Sequence, residues 1–306
     1  MSYQFRLSLS NTHAIEQERR ELVRFVVGRL IPRLPWLARV HHFRSWFFEP
    51  MNYWRQIEMP LVLSLLRQQG IRGRILDIGS PKLLALYLAS TCNVESHATD
   101  ISDYFVADLR RFRQVLRLPN LEIHTADGRQ TGYPDAFFDA VFSISVIEHM
   151  PDDSDMQCFS EVSRLLKPGG VFVFDLPVFV PAEDTPIVVE ERFADGRFHQ
   201  HRYSLAALGQ RLATQPKLEL MATYLAGEHP TSTVPTSQQE GALWPENYNL
   251  IAADPIHRRL RWLTKHALIP LSHYAMSSRL RRKYLYHTDD PNDPQVLNAT
   301  FIMRRI

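Results

Sequence analysis

The chain has 306 residues, 45% of them apolar, and a formal net charge of +2. That length allows one large domain with additions or two small ones, and that apolar content suits a packed core, which excludes a disordered or polyionic chain. Two cysteines, Cys92 and Cys158, exclude a disulfide framework and a cysteine-based metal site.

The first 70 residues read as a helical arm and lid. Arg19, Arg20, Arg24, Arg29, Arg33, Arg39 and Arg44 sit among Phe25, Leu30, Leu34, Trp36, Phe43, Trp46, Phe47 and Phe48. Met1 to Ser10 lacks the apolar run of a secretory leader. No window reaches about 18 uninterrupted apolar residues, so no membrane span is expected and a cytoplasmic location is the default. Residues 52–69 read as helical on entry to the core, with a break or kink at Pro60.

Arg74-Ile75-Leu76-Asp77-Ile78-Gly79-Ser80-Pro81-Lys82 is the most informative stretch. Ile75, Leu76 and Ile78 predict a strand buried on both faces. Gly79 permits a sharp turn and a close ligand approach. Ser80 suits an N-cap and Pro81 the first helical position. Leu83, Leu84, Leu86, Tyr87 and Leu88 then form an apolar helix whose positive end favours an anionic group. A cofactor site at the carboxyl edge of a parallel sheet is built this way. Of the three glycines in G-x-G-x-x-G only the first is present, because Pro81 replaces the second and removes an N–H. A pyrophosphate needs several such groups, and a single carboxylate needs fewer. The turn therefore favours S-adenosyl-L-methionine over NAD. Asp100 follows Gly79 by 21 residues, the spacing of a ribose-holding acid.

Strand–helix alternation continues. Val94 to Asp100 predicts a strand, Asp103 to Leu116 a helix, and Leu121 to Ala126 a third strand ending at Asp127-Gly128. Phe138 to Ser145 predicts a fourth strand, followed by a helix from Ser154 to Leu166 with Ser154 as its N-cap. Pro168-Gly169-Gly170 turns into a fifth strand, Val171 to Leu176. Strands separated by such helices imply a parallel sheet with right-handed crossovers. A helix over Leu205 to Thr214, a strand over Leu218 to Tyr224 and an antiparallel last strand over Ala299 to Arg304 complete the core.

Residues 71–180 resemble a class I S-adenosylmethionine-dependent methyltransferase of the group that includes the ubiquinone-biosynthesis and small-molecule enzymes. Five blocks in order carry the resemblance: Leu76-Asp77-Ile78-Gly79, Ala98-Thr99-Asp100-Ile101, Thr125-Ala126-Asp127-Gly128, Phe138 through His149, and Leu165-Leu166-Lys167-Pro168-Gly169-Gly170. It implies an α/β Rossmann-like fold: a seven-stranded, mostly parallel sheet with an antiparallel last strand, helices on both faces, and extra N-terminal and C-terminal helical additions. The expected divisions are an arm and lid over 1–70, a cofactor-binding core over 71–225, a basic helical insertion and substrate roof over 226–296, and a final core strand over 297–306.

The resemblance also implies roles. Gly79 holds the methionine part of S-adenosyl-L-methionine, and Asp100 accepts from both ribose hydroxyls. Ile101 packs on the adenine, while Asp127 accepts from its amino group beside Gly128. Ser145 lies under the sulfonium. Asp77 touches the ligand or orders the loop. Tyr53 and Arg55, on a helix lying over the cofactor, are candidates for its carboxylate, Arg55 by a two-pronged contact; packing and an ion pair explain them equally. His149 is the candidate base, since an imidazole titrates near neutrality. Glu148 fits an anchoring role. Relatives with Glu-x-x-Glu-His hold a divalent metal, but here Ser145-Val146-Ile147-Glu148-His149 lacks the first acid, so no metal is expected.

Between Pro255 and Thr288 lie Arg258, Arg259, Arg261, Lys265, Arg279, Arg281, Arg282 and Lys283 and no acid, interleaved with apolar residues. Such segments suit an anionic membrane surface met peripherally, or a lipid-like substrate. Ordinary helices with arginines in water explain the same pattern, and nucleic acid fits it least well. The leading reading is a methyltransferase acting on a small or amphiphilic acceptor. Its alternative is a non-catalytic module of the same fold, for which Pro81 is the direct support. An NAD(P)-dependent reductase of the short-chain type is excluded by the lack of any Tyr-x-x-x-Lys.

Overall fold

The computed structural model describes residues 12–37, 40, 54–70, 72–183, 185–229, 278, 281–282 and 285–306. Tyr53 and most of the basic stretch from Pro255 to Thr288 lie outside them.

Five parallel strands form the heart of the sheet: β1 (Gly73–Ile78), β2 (Val94–Asp100), β3 (Leu121–Thr125), β4 (Phe138–Ile144) and β5 (Leu166–Phe179). They lie in the order β3-β2-β1-β4-β5. The helices between them are α3 (Leu83–Thr91), α4 (Asp103–Leu116) and α5 (Ser154–Leu165), preceded by α1 (Thr12–Phe25) and α2 (Arg55–Gln68) and followed by α6 (Leu205–Ala213).

Side chains alternate across each strand, so the sheet has two apolar faces. Ile75 of β1, Ala140 and Phe142 of β4 and Val173 of β5 pack under α1 to α4. Leu76, Ile78, Val141, Phe172 and Phe174 face the other way, toward α5 and α6. The expected helices on both faces are present.

The sheet has ten strands rather than seven. The last strand, β10 (Val296–Arg305), runs antiparallel to β5, with Phe301 opposite Phe174 and their rings stacked at 5.0 Å. β8 (Leu218–Glu228) pairs with β10, and the short β9 (Leu285–Thr288) pairs with Leu225 to Glu228. A hairpin of β6 (Val188–Arg192) and β7 (Phe198–Ser204) is the other addition. It forms because β5 runs on past Leu176, and Val178 and Phe179 pair in parallel with Tyr203 and Ser204. The Pro168-Gly169-Gly170 turn is a bulge inside β5: the register on β4 jumps from Phe138–Leu166 to Ala140–Val171.

Three local expectations are corrected. Helix α2 runs through Pro60 without a break; the proline removes one hydrogen bond from the second turn, and the burial of Met59, Leu61, Val62, Leu63, Leu65 and Leu66 in the core holds the helix together across it. Ser154 is the first residue of α5 instead of its cap, which is Asp153; the Ser154 hydroxyl accepts from Arg129. Ser80 and Pro81 precede α3, which starts at Leu83 after Lys82. The Ser80 hydroxyl accepts the backbone N–H of Ile144 at 2.8 Å, so it ties the loop to β4 instead of capping α3.

The N-terminal arm is held by ions. Arg67 of α2 pairs with Glu18 and Glu21 of α1 and donates to the Tyr87 hydroxyl of α3 at 2.6 Å. Arg281, from the basic stretch, pairs with Glu16 of α1 at 3.2 Å. Among the described residues no helix is long and apolar enough to cross a membrane.

Candidate active site

The carboxyl ends of β1, β2, β3 and β4 lie side by side and deliver Gly79, Asp100, Asp127 and Ser145 to one edge of the sheet. Asp100 stands opposite Thr125 in the β2–β3 register, so the two acidic turns are neighbours.

Gly79 has φ +69°, a conformation favouring glycine, and a Cβ there would fall 2.6 Å from Val146 Cγ1. A Cβ on Gly128 would fall 2.9 Å from Ile78 Cγ2 and 3.1 Å from Met150 Cε. Both glycines are therefore required by the protein's own packing, with or without a ligand. Asp77 is fully buried; its Oδ1 accepts the N–H of Ser80 at 3.0 Å, and its Oδ2 has no partner. Burial pushes the Asp77 carboxyl up to about 6, against the pull of Lys82. Its hydrogen bond orders the loop.

Asp100 accepts the N–H of Ser102 at 2.9 Å and forms an ion pair with Lys82 at 3.1 Å. Next to it Ile101 is 68% exposed, an apolar surface left open beside an acid. Asp127 is held by its near neighbour: Arg129 donates side-chain and backbone N–H groups to it, and these hold its carboxyl below the usual range.

Ser145 ends β4 with φ +49°. Its N–H donates to Asp175 Oδ1 at 2.7 Å, and its hydroxyl receives Arg55 at 2.6 Å. Arg55 also pairs with Glu58, one turn along α2. Glu58 Oε1 further accepts from Ser145 at 3.3 Å and from Asn298 at 3.4 Å. Glu148 and Asp175 are buried beside this group, each with one unpartnered oxygen. Burial pushes Glu148 up to about 8. Burial, with Glu58 adding repulsion, holds Asp175 well above the carboxylate range. Lys82, Glu58, Asp175 and Arg129 escaped the sequence reading. Glu58 alone had a signal, its spacing of three from Arg55 on a predicted helix.

His149 lies after β4 in a short helical turn, with 45% of its side chain exposed. Its Nδ1 lies 2.8 Å from the carbonyl of His199 on the β6–β7 hairpin. Only a protonated Nδ1 can donate there, so Nε2 carries the lone pair. Crowding by protein lowers its pKa, and Arg55 adds to this. Among the described residues no group of three or more His, Cys, Asp or Glu could hold a metal ion.

Residues 76–174 match the family described as "Methyltransferase domain". A curated protein of Mycolicibacterium smegmatis, named as an S-adenosylmethionine-dependent methyltransferase, is 34% identical over 115 residues. This chain carries a class I S-adenosylmethionine-dependent methyltransferase domain. The match covers 37% of the chain, and the chain spans 40% of the length of that curated relative.

Solved structures extend the likeness beyond the methyltransferase domain. A Galdieria sulphuraria protein described as a sarcosine dimethylglycine methyltransferase aligns with TM-score 0.54 and 15% identity over 86% of this chain and 96% of its own. The [4+2]-cyclase SpnF aligns with TM-score 0.51 and 16% identity over 99% of both chains. Geranyl diphosphate C-methyltransferase of Streptomyces coelicolor aligns with TM-score 0.50 and 14% identity over 82% and 80%. At these identities the likeness shows the fold alone.

S-adenosyl-L-methionine is the cofactor of such domains, and the residues present fit it. Two carboxylates on adjacent strand ends suit hydroxyls and an amino group, exposed Ile101 suits a flat ring, and β1 next to them carries the orphaned Asp77 oxygen near its carboxyl end.

Proposed function

We propose that the chain transfers the methyl group of S-adenosyl-L-methionine to a small or amphiphilic acceptor by in-line displacement. The observation that carries this reading is the convergence of Gly79, Asp100, Asp127 and Ser145 on one edge of four adjacent parallel strands. When bound, the cofactor supplies a methyl group on a sulfonium, an electrophile that needs alignment more than activation.

The residues then divide the work. Asp100 accepts from the ribose, Asp127 from the adenine amino group, and Ile101 covers the ring. Gly79 and Asp77 set the loop that receives the methionine part. Arg55, fixed by Glu58 and Ser145, offers a guanidinium to its carboxylate. Orientation of this kind contributes up to about 7–11 kcal/mol to catalysis.

His149 stands where β4 opens, with its Nε2 lone pair available and a lowered pKa. It serves as the base for a hydroxyl acceptor, taking the proton at Nε2. The β6–β7 hairpin, through the His199 carbonyl, fixes that tautomer. A small acceptor agrees with two fold neighbours, one described as a sarcosine dimethylglycine methyltransferase and the other as a geranyl diphosphate C-methyltransferase.

The test is transfer of labelled methyl groups from S-adenosyl-L-methionine to fractionated metabolite and lipid extracts. The reading expects one labelled small-molecule or lipid fraction that vanishes with Asp100→Ala. Label in protein or nucleic acid only, or in nothing, contradicts it.

A further inference from the structure

Lys82 follows Pro81 in the loop between β1 and α3, and it is 3% exposed. A lysine is rarely buried unless its charge is paired. Here Nζ donates to the carbonyl of Ser80 at 2.7 Å and forms an ion pair with Asp100 Oδ2 at 3.1 Å, with 4% and 11% of the two side chains exposed. It also offsets the charge of fully buried Asp77. One ammonium thus stands between two carboxylates at the head of the cofactor edge.

An ammonium has three N–H groups and no acceptor capacity. Ser80 takes one and Asp100 balances the charge, so donor capacity remains at the ribose acid. A hydroxyl both donates and accepts. A ribose hydroxyl that gives its proton to Asp100 Oδ2 at about 2.7 Å leaves a lone pair within reach of a donor lying 3.1 Å from the same oxygen.

We propose that Lys82 is a cofactor-binding residue, donating to the ribose hydroxyl whose proton Asp100 accepts. This rests on the reading of the edge as an S-adenosyl-L-methionine site. A hydroxyl held by a charged donor and a charged acceptor is fixed more firmly than by either alone.

The test is titration calorimetry of the wild-type protein, Lys82→Met and Lys82→Gln with S-adenosylhomocysteine and with 5′-methylthioadenosine. The second ligand keeps the ribose and adenine and lacks the amino-acid end. Lys82→Met should weaken both ligands at least about tenfold and to the same extent, the range of a hydrogen bond to a charged group. Lys82→Gln keeps an N–H donor without the charge and should fall between. It carries the test alone if melting curves show Lys82→Met unfolded. Unchanged or tighter binding of both ligands overturns the proposal, because Lys82 is then only a loop staple. A loss confined to S-adenosylhomocysteine also overturns it, because Lys82 then serves the amino-acid end. Failure of the wild-type protein to bind either ligand removes the cofactor site itself, a different result from wild-type binding that Lys82 does not affect.

Discussion

Ser145 at the end of β4 and Asp175 in β5 are joined by a 2.7 Å hydrogen bond from the Ser145 N–H to Asp175 Oδ1, and Ser145 is held there with φ +49°. A left-handed conformation at a residue other than glycine costs about 1–3 kcal/mol and persists where its surroundings enforce it. The Asp175 side chain, the Arg55 guanidinium and Glu58 are those surroundings. Asp175→Ala should therefore destabilise the fold by about 1–3 kcal/mol, because it strands the Ser145 N–H. Urea denaturation measures it, and a change under about 0.5 kcal/mol, the level of an ordinary surface substitution, would show that the bond does not hold the turn.

Gly79 and Val146 form a second such pair. Gly79→Ala places a Cβ 2.6 Å from Val146 Cγ1 at φ +69°. The expected loss is roughly 2 kcal/mol or more, combining backbone strain with overpacking. In a Val146→Ala background the clash is relieved and the strain remains, so the loss should shrink without vanishing. Equal losses in both backgrounds would mean that Val146 is not what confines Gly79.

Glu148 makes stability depend on pH. Its folded pKa is about 8, above the ordinary 4.5, so the folded protein holds a proton that the unfolded chain has released. The stability tied to that proton is complete below the unfolded value and is lost as pH rises through the folded one, at up to about 1.4 kcal/mol per pH unit between them. Asp77, raised to about 6, adds the same sign over a lower window. Urea midpoints should fall from pH 6 to pH 8, and Glu148→Gln should flatten that fall. Identical slopes in the two proteins would show that Glu148 ionises freely.

His149→Ala should slow methyl transfer to a hydroxyl acceptor by about 10²–10⁴-fold. With its pKa lowered, the imidazole stays neutral further into acid than an ordinary histidine, so the acid limb of the pH–rate profile should lie below pH 6.5 in the wild-type enzyme. A rate unchanged by the substitution leaves His149 as a link to the β6–β7 hairpin only.

Much of this was legible in the residues, and the reasons differ from place to place. Buried strands such as Leu76-Asp77-Ile78 and helices such as Asp103–Leu116 declare themselves through local pattern, and their bounds were read to within a residue or two. The β6–β7 hairpin was not, because it depends on β5 running two residues past Pro177 to find a partner in Tyr203 and Ser204. The strand-end acids Asp100 and Asp127 follow from motif position. Their cationic partners Lys82 and Arg129 do not, since nothing local marks a lysine as buried or shows where an arginine two residues on will fold back. Glu58 and Asp175, far apart in the chain, meet at Ser145 only through the packing of α2 over the sheet.

Whether this edge of the sheet seats S-adenosyl-L-methionine, the claim on which every site role above depends, is decided by calorimetric titration of the wild-type protein and Asp100→Ala. The claim predicts one site of micromolar affinity in the wild-type protein, lost in a folded Asp100→Ala variant. No binding by the wild-type protein, or equal affinity in the two, would contradict it.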